Sequence, residues 1–266
     1  MDHTTERMEK VVEELTRQFG ERLRGWMAEI RETDAITLDK LEDAVRGGMQ
    51  SLGREALQGM VDIVGTGKSK ETVGCPKCGE KMAFVRYQRK WVQTLLGAIR
   101  AERAYYHCAE CRQGHVPLDH QLGLGMDSLS GELEQALCLL VARMPLEETA
   151  DTLQRLLKVQ VDDNTVQRAA RRVGSEMVAQ QERRAERAWR RAKPPEMEVE
   201  EAPQRLYISV DGTTAHLQEG WKEVKVAAIY ETEELPQADG SMDIKAVRIT
   251  YVVSFADAQT FARYVY

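Results

Sequence analysis

Four of the five cysteines fall into two C-x2-C pairs, Cys75-Pro76-Lys77-Cys78 and Cys108-Ala109-Glu110-Cys111, with residues 79–107 between them. Two thiolates separated by two residues can grip one ion together. Two such pairs supply the four soft donors that tetrahedral zinc prefers, at about 2.3 Å each. A dithiol oxidoreductase would carry one pair beside a βαβ unit, whereas this chain carries two pairs far apart. Zinc held by Cys75, Cys78, Cys108 and Cys111 is therefore the expected chemistry. His107 and His115 are alternative ligands, although four sulfurs already complete the shell. A closed four-thiolate site has no open position, so it is expected to fold a module rather than catalyse. Cys138 lies in the apolar run Ala136–Ala142 and reads as a core thiol.

The segment between the pairs is strand-like: Phe84, Val85 and Tyr87, then Trp91, Val92 and Thr94, then Ile99 through Tyr106, with a turn at Leu96-Gly97. Gly79 suits a left-handed turn after the first pair. The expectation is a zinc ribbon over residues 75–118. Its strands carry Arg86, Arg89, Lys90, Arg100 and Arg103 among Tyr87, Trp91, Tyr105 and Tyr106. Basic residues interleaved with aromatics suit nucleic acid; the alternative is that the aromatics form the ribbon's own core. Upstream, Gly67-Lys68-Ser69 resembles the end of a phosphate-binding loop, but Asp62 stands where the motif needs its first glycine. The required strand before and helix after are also missing. Residues 65–74 read instead as a linker.

A second basic cluster has helical spacing. Ser130–Arg143 and Leu146–Lys158 read as two helices separated by Pro145, and a third begins after Asp162 or Asp163, either of which can cap it. In the third helix Val166, Ala170, Val173 and Met177 are expected to face inward. Asn164, Gln167, Arg168, Arg171 and Arg172 then face outward. Arginine reads guanine edges and Asn or Gln reads adenine edges in the major groove, which admits a helix. Residues 128–193 are thus expected to be a helix-turn-helix with a long basic third helix, the alternative being a plain helical bundle. Pro194 and Pro195 would end that helix, and the acidic stretch 196–204 would mark a domain boundary.

At the N-terminus, Val12, Leu15, Phe19, Leu23, Trp26 and Ile30 form one stripe over residues 5–32. Leu38, Leu41, Val45, Leu52, Met60 and Ile63 form another, weakened at Gly47 and Gly48 by about 1 kcal/mol each relative to Ala. Residues 1–64 read as a helical hairpin, its break at Thr33-Asp34, that must pack on the rest of the chain or form a homodimer. Toward the C-terminus, Leu206–Val210 reads as a strand ending at Asp211-Gly212. Trp221–Tyr230 and Ala246–Phe255 are two more strands, and Asp257–Tyr266 begins a helix. A carboxylate on the first of three strands before a helix is how a ribonuclease-H-like domain opens, here over residues 205–266. Asp211 is then the candidate catalytic residue and divalent-cation ligand.

Composition narrows the class. The chain has 266 residues, 42% hydrophobic and 30% charged, which suits a globular α+β multidomain protein. No apolar run approaches the ~20 residues of a membrane span, and the charged N-terminus has no signal-peptide core. The net charge of −6 conceals two basic islands. Residues 75–118 hold 8 basic and 3 acidic side chains, and residues 165–193 hold 9 and 3, whereas residues 194–266 hold 6 and 13. Such islands between acidic blocks suit a protein that meets phosphate on selected surfaces.

In this order the pieces resemble the N-terminal part of an insertion-sequence transposase of the ISKra type, in the DDE class. The resemblance rests on Cys75-Pro76-Lys77-Cys78-Gly79, Thr94-Leu95-Leu96-Gly97, Arg103-Ala104-Tyr105-Tyr106-His107-Cys108, Pro117-Leu118-Asp119 and Leu122-Gly123-Leu124. It continues through Thr165-Val166, Val210-Asp211-Gly212-Thr213 and Trp221-Lys222-Glu223-Val224-Lys225. It implies a zinc ribbon and helix-turn-helix that bind double-stranded element ends. It also implies a ribonuclease-H-like domain that cuts and joins DNA with Mg or Mn, Asp211 being the first metal carboxylate. No role attaches to Trp221, Glu223 and Lys225. A cytoplasmic, nucleoid-associated prokaryotic protein is expected. The sequence stops at Tyr266, before a strand carrying a second carboxylate, and Asp239, Asp243 and Asp257 are expected in a loop or at a helix start. The expectation is a DNA-binding chain inactive alone in transposition. The alternatives are a stand-alone zinc-dependent DNA-binding regulator and an assembly protein built on the helical hairpin.

Overall fold

The computed structural model describes residues 3–32, 36–125, 127–190, 205–217, 219–237 and 241–265. It is a mixed α+β protein with two antiparallel sheets. The chain divides into two compact units, Met1–Val173 and Gly174–Tyr266. Thr33, Asp34, Pro194, Pro195, Asp239 and the acidic stretch 196–204 lie outside the described residues. No described helix is long and apolar enough to cross a membrane.

In the first unit, helices α1 (His3–Glu32) and α2 (Leu38–Val64) form the expected hairpin. Thr37 caps α2 by accepting from the Lys40 N–H. The glycines that weaken α2 on propensity have a packing role in one case. A Cβ on Gly48 would lie 2.2 Å from Trp26 Cζ2, so the bare backbone is the seat of the indole, while Gly47 has open space around it. The lower half of α2 then covers a sheet of four strands, β1 (Thr72–Gly74), β2 (Lys81–Thr94), β3 (Gly97–His107) and β4 (Gly114–His115), paired in that order. Residues 72–74, read as linker, are thus a strand. The separate strands read around residues 84–87 and 91–94 are one continuous strand.

The β2–β3 hairpin changes its buried face along its length. A bulge between Phe84 and Arg86 shifts the register, and successive side chains point to opposite faces. Near the cysteines Met82, Ala104 and Tyr106 are buried together. At the far end Val92, Ile99 and Ala101 are buried from the other side against Val61 and Leu118, the latter from α3 (Pro117–Gln121). One hairpin therefore belongs to two small cores.

A third core joins α4 (Gly131–Val141), α5 (Leu146–Leu157) and the start of α6 (Asp163–Arg190): Leu133, Leu137, Leu153, Val159, Val166 and Ala169. Ser130 caps α4 through the Leu133 N–H, and Cys138 is half-buried against this core as expected. Asp162 is the cap of α6, accepting from the Thr165 N–H at 2.9 Å. Val166 faces inward as read, but Ala169 takes the fully buried place, with Ala170 half-buried. Met177 is 66% exposed, because the core beneath α6 belongs to the first unit, which ends at Val173.

In the second unit, the rest of α6 accompanies the sheet β5 (Tyr207–Leu217), β6 (Gly220–Pro236) and β7 (Met242–Ser254), followed by α7 (Ala258–Val265). Phe261 of α7 packs on Ala227 and Val252. Two expectations change here. β5 runs straight through Asp211-Gly212, which pair with Val226 and Lys225, so these residues are mid-strand and not the strand's end. Asp243 lies in β7 opposite Leu235, not in a loop. Asp257 does stand at a helix start, accepting from the Gln259 and Thr260 N–H groups.

Candidate functional site

The two cysteine pairs converge. The sulfurs of Cys75, Cys78, Cys108 and Cys111 all lie within 4.8 Å of one another, with Cys75 3.5 Å from Cys111 and Cys78 3.6 Å from Cys108. A tetrahedron of sulfurs about 2.3 Å from a central ion has edges of about 3.8 Å, so the four donors fit a metal ion such as zinc. No described histidine joins this group. The two pairs share one backbone design. The Cys75 N–H donates to the Glu80 carbonyl and the Cys108 N–H to the Gln113 carbonyl, five residues on in each case. Gly79 (φ 80°) and Arg112 (φ 56°) occupy the equivalent left-handed positions. A glycine was legible there in the first loop; in the second an arginine accepts the strain.

The thiols already behave unequally. The Cys78 N–H, with that of Lys77 and with hydrogen bonds from neighbouring thiols, holds Cys75 down at about 6. The Glu80 N–H pulls Cys78 down, but burial and hydrogen bonds with the other three thiols outweigh it and push Cys78 up to about 12. Burial pushes the Cys111 thiol up. Four thiols crowded together cannot all ionise without a cation among them.

The outward residues of α6 separate into two groups. Asn164, Arg168 and Arg171 are exposed and recur at i, i+4 and i+7, opposite buried Val166 and Ala169. Arg168 makes one local bond, to the Thr165 hydroxyl at 2.9 Å. Gln167 is half-buried. Arg172 is committed to the protein itself. Its Nε donates to Asp127 at 2.8 Å and its guanidinium pairs with Glu134, which ties α6 to α4. The i+8 spacing from Asn164 turns it toward α4, which periodicity alone did not reveal.

The basic residues of the β2–β3 hairpin divide in the same way. Arg86, Arg89 and Arg100 are exposed. Arg86 lies over the Tyr105 ring, 5.9 Å from its centroid. Lys90 is half-buried, donates to the Gly125 carbonyl, and is pushed below the usual lysine range by burial. Arg103 pairs with Asp119 at 2.5 Å, its side chain only 12% exposed. Lys90 and Arg103 therefore hold the segment after β4 to the hairpin. Sequence offered no signal for this, because the partners lie 35 and 16 residues away. Tyr106 is fully buried, its hydroxyl donating to the Lys70 carbonyl, and Tyr105, on the opposite face of β3, is half-buried. Tyr87 and Trp91 remain on the surface.

Asp211 is exposed in the middle of β5, and its Oδ1 accepts from the Gly212 N–H at 2.8 Å. Paired with Val226, it takes the face opposite the row Val210, Ala227 and Val252 on which α7 packs. A cleft of about 570 Å³ lies between α7 and the sheet, and Asp211 lines it together with Val210, Gly212, Glu223, Lys225 and Phe261. Glu223 and Lys225, two residues without a role on sequence, form an ion pair in it at 2.7 Å. Among the described residues, the cysteines form the one group of three or more potential ligands close enough to share an ion.

A family model described as Uncharacterised protein family (UPF0236) matches residues 31–258. No curated protein matches the chain.

Proposed function

The chain belongs to the UPF0236 family, and from the geometry of its own side chains we propose that it is a zinc-dependent DNA-binding protein of the transposase type. Zinc, bound by Cys75, Cys78, Cys108 and Cys111, folds the ribbon. The first turns of α6 enter the major groove of double-stranded DNA as the reading helix of a helix-turn-helix. One observation carries the reading: Asn164, Arg168 and Arg171 form an outward row whose opposite side is locked by Val166 and Ala169 in a core shared with α4 and α5. Side chains of these types match adenine and guanine edges, and a packed rear face fixes their aim. Arg86 and Arg89 on the ribbon add phosphate contacts.

The resemblance to DDE transposases supports a ribonuclease-H-like role for β5–β7 and α7, with Asp211 as a ligand for Mg or Mn. That chemistry needs several carboxylates around the ions, and no such group surrounds Asp211 among the described residues. The proposal for this chain therefore stops at DNA binding. The same observation favours, as second reading, a DNA-binding regulator without nuclease activity. A strand-transfer assay with Mg²⁺ separates the two: joined product restores the catalytic reading. A homodimer through the N-terminal helices is a separate expectation, which sedimentation tests.

The DNA reading is tested by selecting duplex sequences with the zinc-loaded protein and measuring affinity against salt. Each phosphate contact contributes about −0.9 to the slope of log K on log salt. Arg168→Ala and Arg171→Ala should each cost about 1–3 kcal/mol on the selected site and relax its sequence. Affinity indifferent to salt and to both substitutions removes α6 from the groove.

A further inference from the structure

The far end of the β2–β3 hairpin carries a surface of a different kind from α6. The pairs Arg89↔Glu102 and Trp91↔Arg100 place these side chains on one face, in line with Tyr87. Trp91 is 62% and Tyr87 48% exposed. The core at this end uses the other face, where Val92, Ile99 and Ala101 meet α2 and α3, so the indole is not needed for packing. The backbone beneath is held firmly. The Gln58 side chain accepts from the Arg100 N–H at 2.8 Å and donates to the Arg100 carbonyl at 2.9 Å, a side-chain substitute for a neighbouring strand. One carboxylate, Glu102, lies on the face, 3.8 Å from Arg89.

We propose that this face binds single-stranded DNA, with Trp91 and Tyr87 stacking on unpaired bases and Arg89 and Arg100 meeting the phosphates. Four strand residues set the two rings about 13 Å apart with a cation between them. In a duplex the base faces are covered by their neighbours, so an exposed indole can stack only on a base that is unpaired; aromatics alternating with arginines are the pattern of sequence-tolerant single-strand surfaces. The inference rests on the DNA reading above and adds a second substrate form, nucleotides left unpaired beside a duplex.

The test uses the zinc-loaded 266-residue chain and fluorescence anisotropy with labelled (dT)20, (rU)20 and a blunt 20-base-pair duplex. Trp91→Ala should weaken (dT)20 binding about tenfold, within the range set by the loss of one stacked base, and Trp91→Phe should weaken it less. Duplex affinity and zinc content should be unchanged in both variants. Arg168→Ala should show the opposite pattern, losing duplex and keeping (dT)20. Unchanged (dT)20 affinity in Trp91→Ala overturns the proposal, as does tighter binding of (rU)20 than of (dT)20. If no duplex binds while (dT)20 binding depends on Trp91, the α6 reading falls and this one stands.

Discussion

Chelating the metal should melt one end of the β2–β3 hairpin and spare the other. At the cysteine end the large side chains buried beside the ligands are Met82 and Tyr106, worth about 1.5–3 kcal/mol each. A zinc held by the four cysteines, as proposed, would contribute about 10–16 kcal/mol in apparent binding at neutral pH and would be the dominant tie there. At the far end no ligand is involved: Val92, Ile99 and Ala101 are held by Val61 of α2 and Leu118 of α3, and Gln58 clamps Arg100. Hydrogen exchange read by mass spectrometry, with and without a strong chelator, measures this directly. Protection should vanish over Thr72–Gly74, Lys81–Phe84 and Ala104–His107, and persist at Val92 and over Ile99–Ala101. Protection falling evenly along both strands would refute the reasoning by showing one cooperative hairpin. Protection surviving everywhere would show that the thiols need no ion.

Arg172→Ala should lower stability by about 1 kcal/mol, since it removes partners from Asp127 and half-buried Glu134, and leave base preference on the selected duplex intact; altered preference would return Arg172 to the DNA face. Gly48→Ala and Gly47→Ala should have opposite signs in thermal melts. At Gly48 the new methyl meets Trp26, an overpacking cost of about 1–3 kcal/mol that exceeds the helical gain of about 1; at Gly47 the space is open and the gain of up to about 1 kcal/mol remains. The Thr165 hydroxyl and N–H hold the Asp162 carboxyl below its usual range. Its contribution to the start of α6 should thus be complete above the unfolded value of about 3.9 and disappear as pH falls through the lower folded value. Acid melts of Asp162→Ala should therefore converge with those of the wild type at the lowest pH, and a constant gap would contradict this.

Local pattern carried much of the architecture. The cysteine pairs, the helices α1 and α2, the Asp162 cap of α6 and the break between β2 and β3 all depend on neighbours within a few residues, and all are found close to where spacing put them. Faces were harder to read. Arg171 and Arg172 are adjacent and chemically identical, yet one points to solvent and the other is spent on Asp127 and Glu134. Lys90 and Arg103 read as nucleic-acid contacts until Gly125 and Asp119 claim them. Asp211-Gly212 reads as the end of a strand, but pairing with Val226 and Lys225 carries the strand through it.

Sequence by itself determined the donors, four sulfurs in two pairs, because ligand chemistry and a two-residue spacer are local properties. It also placed the starts of α4, α5 and α6 to within a residue or two. Tertiary structure alone decided which cations remain free, since an arginine's availability depends on carboxylates brought near by chain folding. It alone decided that Gly48 is a seat for Trp26, because that contact joins two helices whose separation no propensity encodes. It also gave the hairpin two cores on opposite faces: β3 buries Ala104 and Tyr106 at one end and Ile99 and Ala101 at the other, and the bulge between Phe84 and Arg86 lets Met82 and Val92, an even number of residues apart on β2, serve those opposite faces.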